Sequence, residues 1–193
     1  GRNSTTGKTI VDIDGDGDLD VVIVKNLNGH VLWFENSGSP TDGKLWKRHV
    51  VTTNLPGAYD VALADFNGDG RLDVAGSSWI LGNQFAWFEN NGPSDSEEWT
   101  KHMVEENVRE TRTMRTADFD GDGDPDLLGT IRGIDEIVWY ENKNAEGKVT
   151  WTKHIVDNKS NCPTHGNPVD MDGDGDQDIV MALGFLYRPG SED

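Results

Sequence analysis

The chain is short of cysteine, of basic residues and of long apolar runs, and each shortage removes a class of protein. One cysteine, Cys162, in 193 residues cannot build an internal disulfide framework. Seventeen Lys and Arg stand against 35 Asp and Glu, for a net charge of −18. A chain of that sign repels nucleic acid and anionic membranes, so neither is an expected partner. No apolar run is long enough to span a bilayer, and membrane insertion is not expected. A helical period of useful length is missing too. Residue 1 is Gly, so the chain is expected to be mature or excised, with any export signal already gone.

What the chain has instead is a period. DIDGDGDLD (12–20) is followed by ADFNGDGRLDVA (64–75), ADFDGDGDPDLL (117–128) and VDMDGDGDQDIV (169–180). The first aspartates of the four loops are Asp12, Asp65, Asp118 and Asp170, at steps of 53, 53 and 52 residues. Two further markers keep the same step. VLWFEN (31–36), FAWFEN (85–90) and IVWYEN (137–142) sit mid-unit, and LWKRHVV (45–51), EWTKHMV (98–104) and TWTKHIV (150–156) close each unit.

Each unit reads as four short strands. One enters the acidic loop, one leaves it, one carries W-[FY]-E-N and one carries W-x-[KR]-H. Gly- and Asn-bearing turns such as NLNGH (26–30) and LGNQ (81–84) join them. Tandem four-stranded antiparallel units of this length are the pattern of propeller blades. The chain is therefore expected to be all-β, one repeat domain over 1–193. Blade 1 is placed at about 7–53, blade 2 at about 57–106, blade 3 at about 110–158 and a half blade 4 at about 163–193. A propeller closes with roughly four to eight blades. Three and a half imply either the remainder of a larger chain or self-association of copies.

Carboxylates two residues apart with glycines between them suit a hard cation. Calcium takes about six to eight oxygens and tolerates irregular geometry, whereas magnesium demands a stricter octahedron. Glycines at positions 4 and 6 permit the tight curl. The expected side-chain ligands, at positions 1, 3, 5 and 9, are Asp12, Asp14, Asp16 and Asp20; Asp65, Asn67, Asp69 and Asp73; Asp118, Asp120, Asp122 and Asp126; and Asp170, Asp172, Asp174 and Asp178. Asp18, Arg71, Asp124 and Asp176, at position 7, would offer backbone carbonyls. Four Ca²⁺ would bring the charge from −18 to −10. An EF-hand is excluded, because position 12 holds Ile23, Gly76, Gly129 and Met181 where a bidentate Glu is needed.

These loops resemble those of the FG-GAP/VCBS repeat family, whose pattern D-x-[DN]-x-D-G-x-x-D all four match. The resemblance covers nearly the whole chain. It implies a calcium-binding β-propeller of the integrin-α type, in which the ions stabilise the fold rather than contact ligand. It leaves function open, because the family hosts adhesion, lectin and enzyme proteins.

Residues that recur serve the repeat. His49, His102 and His154 are expected to pack near their blade's Trp. The tryptophans at 33, 87 and 139 and at 46, 99 and 151 are expected between blades, and the Glu and Asn of W-[FY]-E-N as hydrogen-bond residues. Function belongs where repeats differ. Aligned innermost strands put Tyr59, Asp60, Arg112, Arg115, His165 and Asn167 at the channel mouth of blades 2 to 4. Trp79 has no counterpart in other units and is expected exposed beside Asn83 and Gln84, able to stack on a sugar. The leading expectation is a secreted or cell-surface binding module for carbohydrate or a surface protein. The alternatives are the propeller of a polysaccharide lyase or sugar dehydratase, with Arg112, Arg115, His165 and Tyr59 as charge neutraliser and acid/base, and a structural, self-assembling surface repeat.

Overall fold

The computed structural model describes residues 5–42, 46–92 and 98–184. Among these the chain forms three four-stranded antiparallel sheets and one of two strands, each in simple sequential order. The first holds β1 (Thr5–Val11), β2 (Asp20–Lys25), β3 (His30–Asn36) and β4 (Trp46–Thr52). The second holds β5 (Ala58–Ala64), β6 (Asp73–Ser78), β7 (Gln84–Glu89) and β8 (Thr100–Glu106). The third holds β9 (Thr111–Ala117), β10 (Asp126–Ile131), β11 (Glu136–Ala145) and β12 (Lys148–Asp157). β13 (Pro163–Val169) and β14 (Asp178–Leu183) make the two-stranded sheet. Residues 185–193 of the expected half blade lie outside the described residues. The described helices are single 3₁₀ turns at Asn26–Asn28 and Arg132–Ile134, and none is long and apolar enough to cross a membrane.

The sheets stack as blades. β5 lies between β1 and β9, and β9 beside β13, so the first strand of each unit is the inner one. A middle blade is apolar on both faces because each face meets a neighbour. From β6 and β7, Val74, Ala86 and Phe88 join Val22, Val24 and Val31 of the first blade. From the opposite face, Ala75, Phe85 and Trp87 join Leu127, Val138 and Tyr140 of the third. Every residue of β6 and of β10 is buried as a result. Burying one such large apolar side chain is worth about 1.5–3 kcal/mol. Close approach sets one glycine: a Cβ at Gly129 would stand 2.9 Å from the Phe85 ring. β14 has no third strand beside it among the described residues, and Val180 and Leu183 are accordingly exposed.

Candidate functional site

The four acidic loops share one geometry. The glycines at positions 4 and 6 adopt left-handed φ, from +74° at Gly68 to +100° at Gly175, which a side chain would oppose. The curl turns backbone N–H groups onto the first aspartate. Gly15 and Gly17 donate to Asp12 at 2.8 and 3.0 Å, Gly68 and Gly70 to Asp65 at 2.8 and 2.7 Å. Gly121 and Gly123 serve Asp118 in the same way, and Gly173 and Gly175 serve Asp170.

The aspartate at position 9 has a second task that the spacing did not reveal. Asp20, Asp73 and Asp126 are fully buried. One carboxylate oxygen of each accepts the N–H of loop position 2 and the other accepts the N–H of the motif asparagine. The pairs are Ile13 and Asn36 on Asp20, Phe66 and Asn90 on Asp73, and Phe119 and Asn142 on Asp126, all at 2.8–3.1 Å. The same asparagines donate their side-chain amides to the carbonyls of Leu19, Leu72 and Pro125. Position 9 is thus a buried anchor tying the loop to the third strand. In the last unit Asp178 accepts only Met171 N–H among the described residues, and is exposed.

Three loops gather oxygens closely enough for one ion. Asp12, Asp14 and Asp20 bring ligand atoms within 4.8 Å of one another, as do Asp118, Asp120 and Asp122, and Asp170, Asp172 and Asp178. Burial, and behind it neighbouring aspartates, pushes the carboxyl of Asp73 up to about 7 and that of Asp126 to about 6, and raises Asp14 and Asp20. Crowded carboxylates that resist ionising fit a divalent cation, which supplies the missing positive charge. The second loop differs. Its Arg71 guanidinium pairs with Asp69 and donates from Nε to Asn90 O at 2.7 Å. Asn67 spends its amide on Asp69 and Glu89. An internal cation already sits on that loop.

The recurrent Trp, His and Glu form a brace on the outer half of each complete blade. His49, His102 and His154 stack on Trp33, Trp87 and Trp139 with centroids 4.0, 4.3 and 4.3 Å apart. Each Nε2 meets the motif glutamate, Glu35, Glu89 or Glu141, at 2.6–2.9 Å.

The six variable channel residues come together at the inner rim, with Trp79 beside them. Asp60 on β5 accepts Arg115 Nη1 at 2.6 Å and Met114 N–H at 3.3 Å, and Arg115 Nε reaches Asn167 on β13 at 3.0 Å. Three inner strands are stitched by that chain. Beside it Arg112 lies between two rings, its Cζ 4.8 Å from the Tyr59 centroid and 4.7 Å from that of Trp79, with Nη1 donating to Tyr59 at 2.7 Å. His165 faces Tyr59 at 6.4 Å. Trp79 is therefore half-buried under a guanidinium and not the exposed platform expected from sequence. Its Nε1 and the Nε of Arg112 are buried donors without a partner among the described residues. Ser77, which accepts Asp60 N–H and donates to Arg112 O, was missed. Its signal was a hydroxyl recurring at Thr130, which accepts Thr113 N–H at 3.0 Å.

The FG-GAP-like repeat family matches residues 12–76 and 118–181, spans that begin on the first aspartates of loops one and three. The chain belongs to that family. It is also 27% identical over 142 residues to aldos-2-ulose dehydratase of Phanerodontia chrysosporium, an overlap of 63% of this chain and 15% of the relative. The chain thus matches only a small part of that enzyme's length. FG-GAP repeats fix the blade and its loops; the channel residues are where these units differ from one another.

The anchor can be tested directly. In chelator, Asp126→Ala orphans two N–H groups and is expected to cost about 2–4 kcal/mol in urea unfolding. Asp178→Ala, exposed and serving one donor, is expected to cost under about 0.5 kcal/mol.

Proposed function

We propose that the chain is the calcium-stapled part of a β-propeller working outside the cell or at its surface, and that its channel mouth binds carbohydrate. The observation that carries the ligand site is the pair of buried donors, Arg112 Nε and Trp79 Nε1, with no acceptor among the described residues. An unmet buried donor costs about 1–3 kcal/mol, which a ligand oxygen relieves. Around them stand the facing rings of Tyr59 and His165 and the exposed carboxamide of Asn167. Aromatic faces with a few fixed polar groups hold the apolar face and hydroxyls of a sugar. With Trp79 covered by Arg112, the sugar stacks on His165 and Tyr59 instead.

Calcium is the ion that the loops suit, through hard oxygens and glycine-permitted curvature. The donor sets support three strong sites, in the first, third and fourth loops, rather than four equal ones. Arg71 competes for Asp69 in the second. The ions staple the corner between the first two strands of each blade and take no part at the channel mouth.

A second reading has one observation in its favour, the similarity to a dehydratase. In that reading the mouth belongs to a sugar-eliminating enzyme, with His165 or Tyr59 moving the proton and Arg112 and Arg115 countering the developing charge.

Four measurements follow. Calorimetric titration of the calcium-free protein is expected to give three tight sites and a fourth at least about tenfold weaker, with Arg71→Ser bringing the fourth level with the rest. Calcium at a hundredfold its Kd should add about 2.7 kcal/mol per site, or roughly 5–10 °C in Tm for each. An unchanged Tm contradicts the staple. On a broad glycan array the parent is expected to retain sugars and Arg112→Ala to lose them. An empty array removes the carbohydrate reading. Unsaturated product absorbance from an aldos-2-ulose substrate, abolished by His165→Ala, moves the enzyme reading to first place.

A further inference from the structure

One cation at the channel mouth lacks a counter-charge. Among the described residues three arginines are partly buried, Arg112, Arg115 and Arg132. Arg115 pairs with Asp60 at 2.6 Å and Arg132 with Glu110 at 3.0 Å. Arg112 meets no carboxylate among the described residues. It lies against the rings of Tyr59 and Trp79, and its Nη1 donates to the Tyr59 hydroxyl. Attraction between a guanidinium and a ring face eases the charge but leaves the remaining N–H groups in need of acceptors. Nε is buried and has none. With Nη1 spent on Tyr59, the edge made by Nε and Nη2 is the one left over. That edge is a fork which receives a carboxylate through two parallel hydrogen bonds.

Charge sets two further conditions on what enters. Asp60 and Arg115 cancel one another, so the Arg112 charge stands unmatched at the mouth. The site therefore attracts a negative group at close range. The chain as a whole carries −18 and repels a polyanion at longer range. Both conditions are met by a single carboxylate on an otherwise neutral molecule.

We propose that the channel mouth selects a saccharide bearing one uronic acid residue, and that Arg112 is the group that recognises its carboxylate. The inference rests on the carbohydrate reading of this mouth and narrows it from sugars in general to acidic ones. The carboxylate takes the Nε–Nη2 edge of Arg112, and the sugar ring lies on Tyr59 and His165, which face one another at 6.4 Å. A hydroxymethyl group in place of the carboxylate offers one neutral oxygen and leaves the guanidinium charge unmet. Arg112 Nε and the Trp79 indole N–H are both covered in the free chain. Entry of the carboxylate therefore displaces a covering ring, and the Trp79 indole N–H reports it.

The test uses the calcium-saturated full chain and matched methyl glycosides, followed through the indole N–H resonance of Trp79. Methyl β-glucuronide is set against methyl β-glucopyranoside, methyl α-galacturonide against methyl α-galactopyranoside, and acetate serves as the bare anion. A saturable shift is expected with at least one of the two acids, at least about tenfold tighter than with its neutral partner or with acetate. Arg112→Gln is expected to remove the preference for the acid. Arg112→Lys, which keeps the charge and loses the fork, is expected to reduce it, and the comparison within each pair on the parent needs no variant at all. Equal binding of acid and neutral sugar overturns the inference and leaves the carbohydrate reading standing. Acetate as tight as the acids, or an acid preference that survives Arg112→Gln, overturns it as well. No response to any of the glycosides also overturns it, and the glycan array then decides whether the carbohydrate reading falls with it.

Discussion

A buried carboxylate that accepts two backbone N–H groups from different parts of the blade is the constraint on which this structure turns. Asp20, Asp73 and Asp126 each tie the start of the acidic loop to the motif asparagine of the third strand. Removing water from a carboxylate is costly unless its oxygens are hydrogen-bonded. Those bonds hold the loop in its curl, while burial, and behind it the neighbouring aspartates, makes the carboxyls of Asp73 and Asp126 resist ionisation. A cation relieves that strain. The anchor recurs in each of the three four-stranded blades, and in the first and third it lies beside a cluster of aspartates that could hold a cation.

Upon that device the blade adds a second tie, from side chains further out. The Trp–His stack and the His–Glu contact join the third strand to the fourth. The apolar faces then need only stack, since each middle blade presents a buried face to each neighbour. The first and fourth units depart from this pattern in opposite ways. The first seals its seam with Ile13 in place of a ring, and β14 leaves an apolar face uncovered among the described residues.

Much of this was legible because a repeat averages its own noise. Three markers at one step gave the blades, and glycines at fixed loop positions gave the curl. The histidines were expected beside their tryptophans, and the stacks place them there. What spacing could not distinguish was the role of position 9, because a ligand and a backbone acceptor are both aspartate; burial separates them. Trp79 was misread for a related reason. An unmatched tryptophan in a turn looks exposed until a residue 33 positions away, Arg112, is found lying on it.

The most direct test of the anchor is amide hydrogen exchange in calcium and in chelator, read at the N–H groups of Phe66, Asn90, Phe119 and Asn142. Phe66, Phe119 and Asn90 lie in loops or just past a strand end, where exchange is ordinarily fast, and Asn142 lies within β11 but turns its N–H to Asp126. Held by a buried carboxylate, all four should exchange as slowly as the middle of β6 and β10 in calcium. In chelator the loop amides of Gly68, Gly70, Gly121 and Gly123 should lose protection first, with the four anchored amides following only at global unfolding. Fast exchange of the four in calcium would contradict the account, because the loops would then be held by the ion alone.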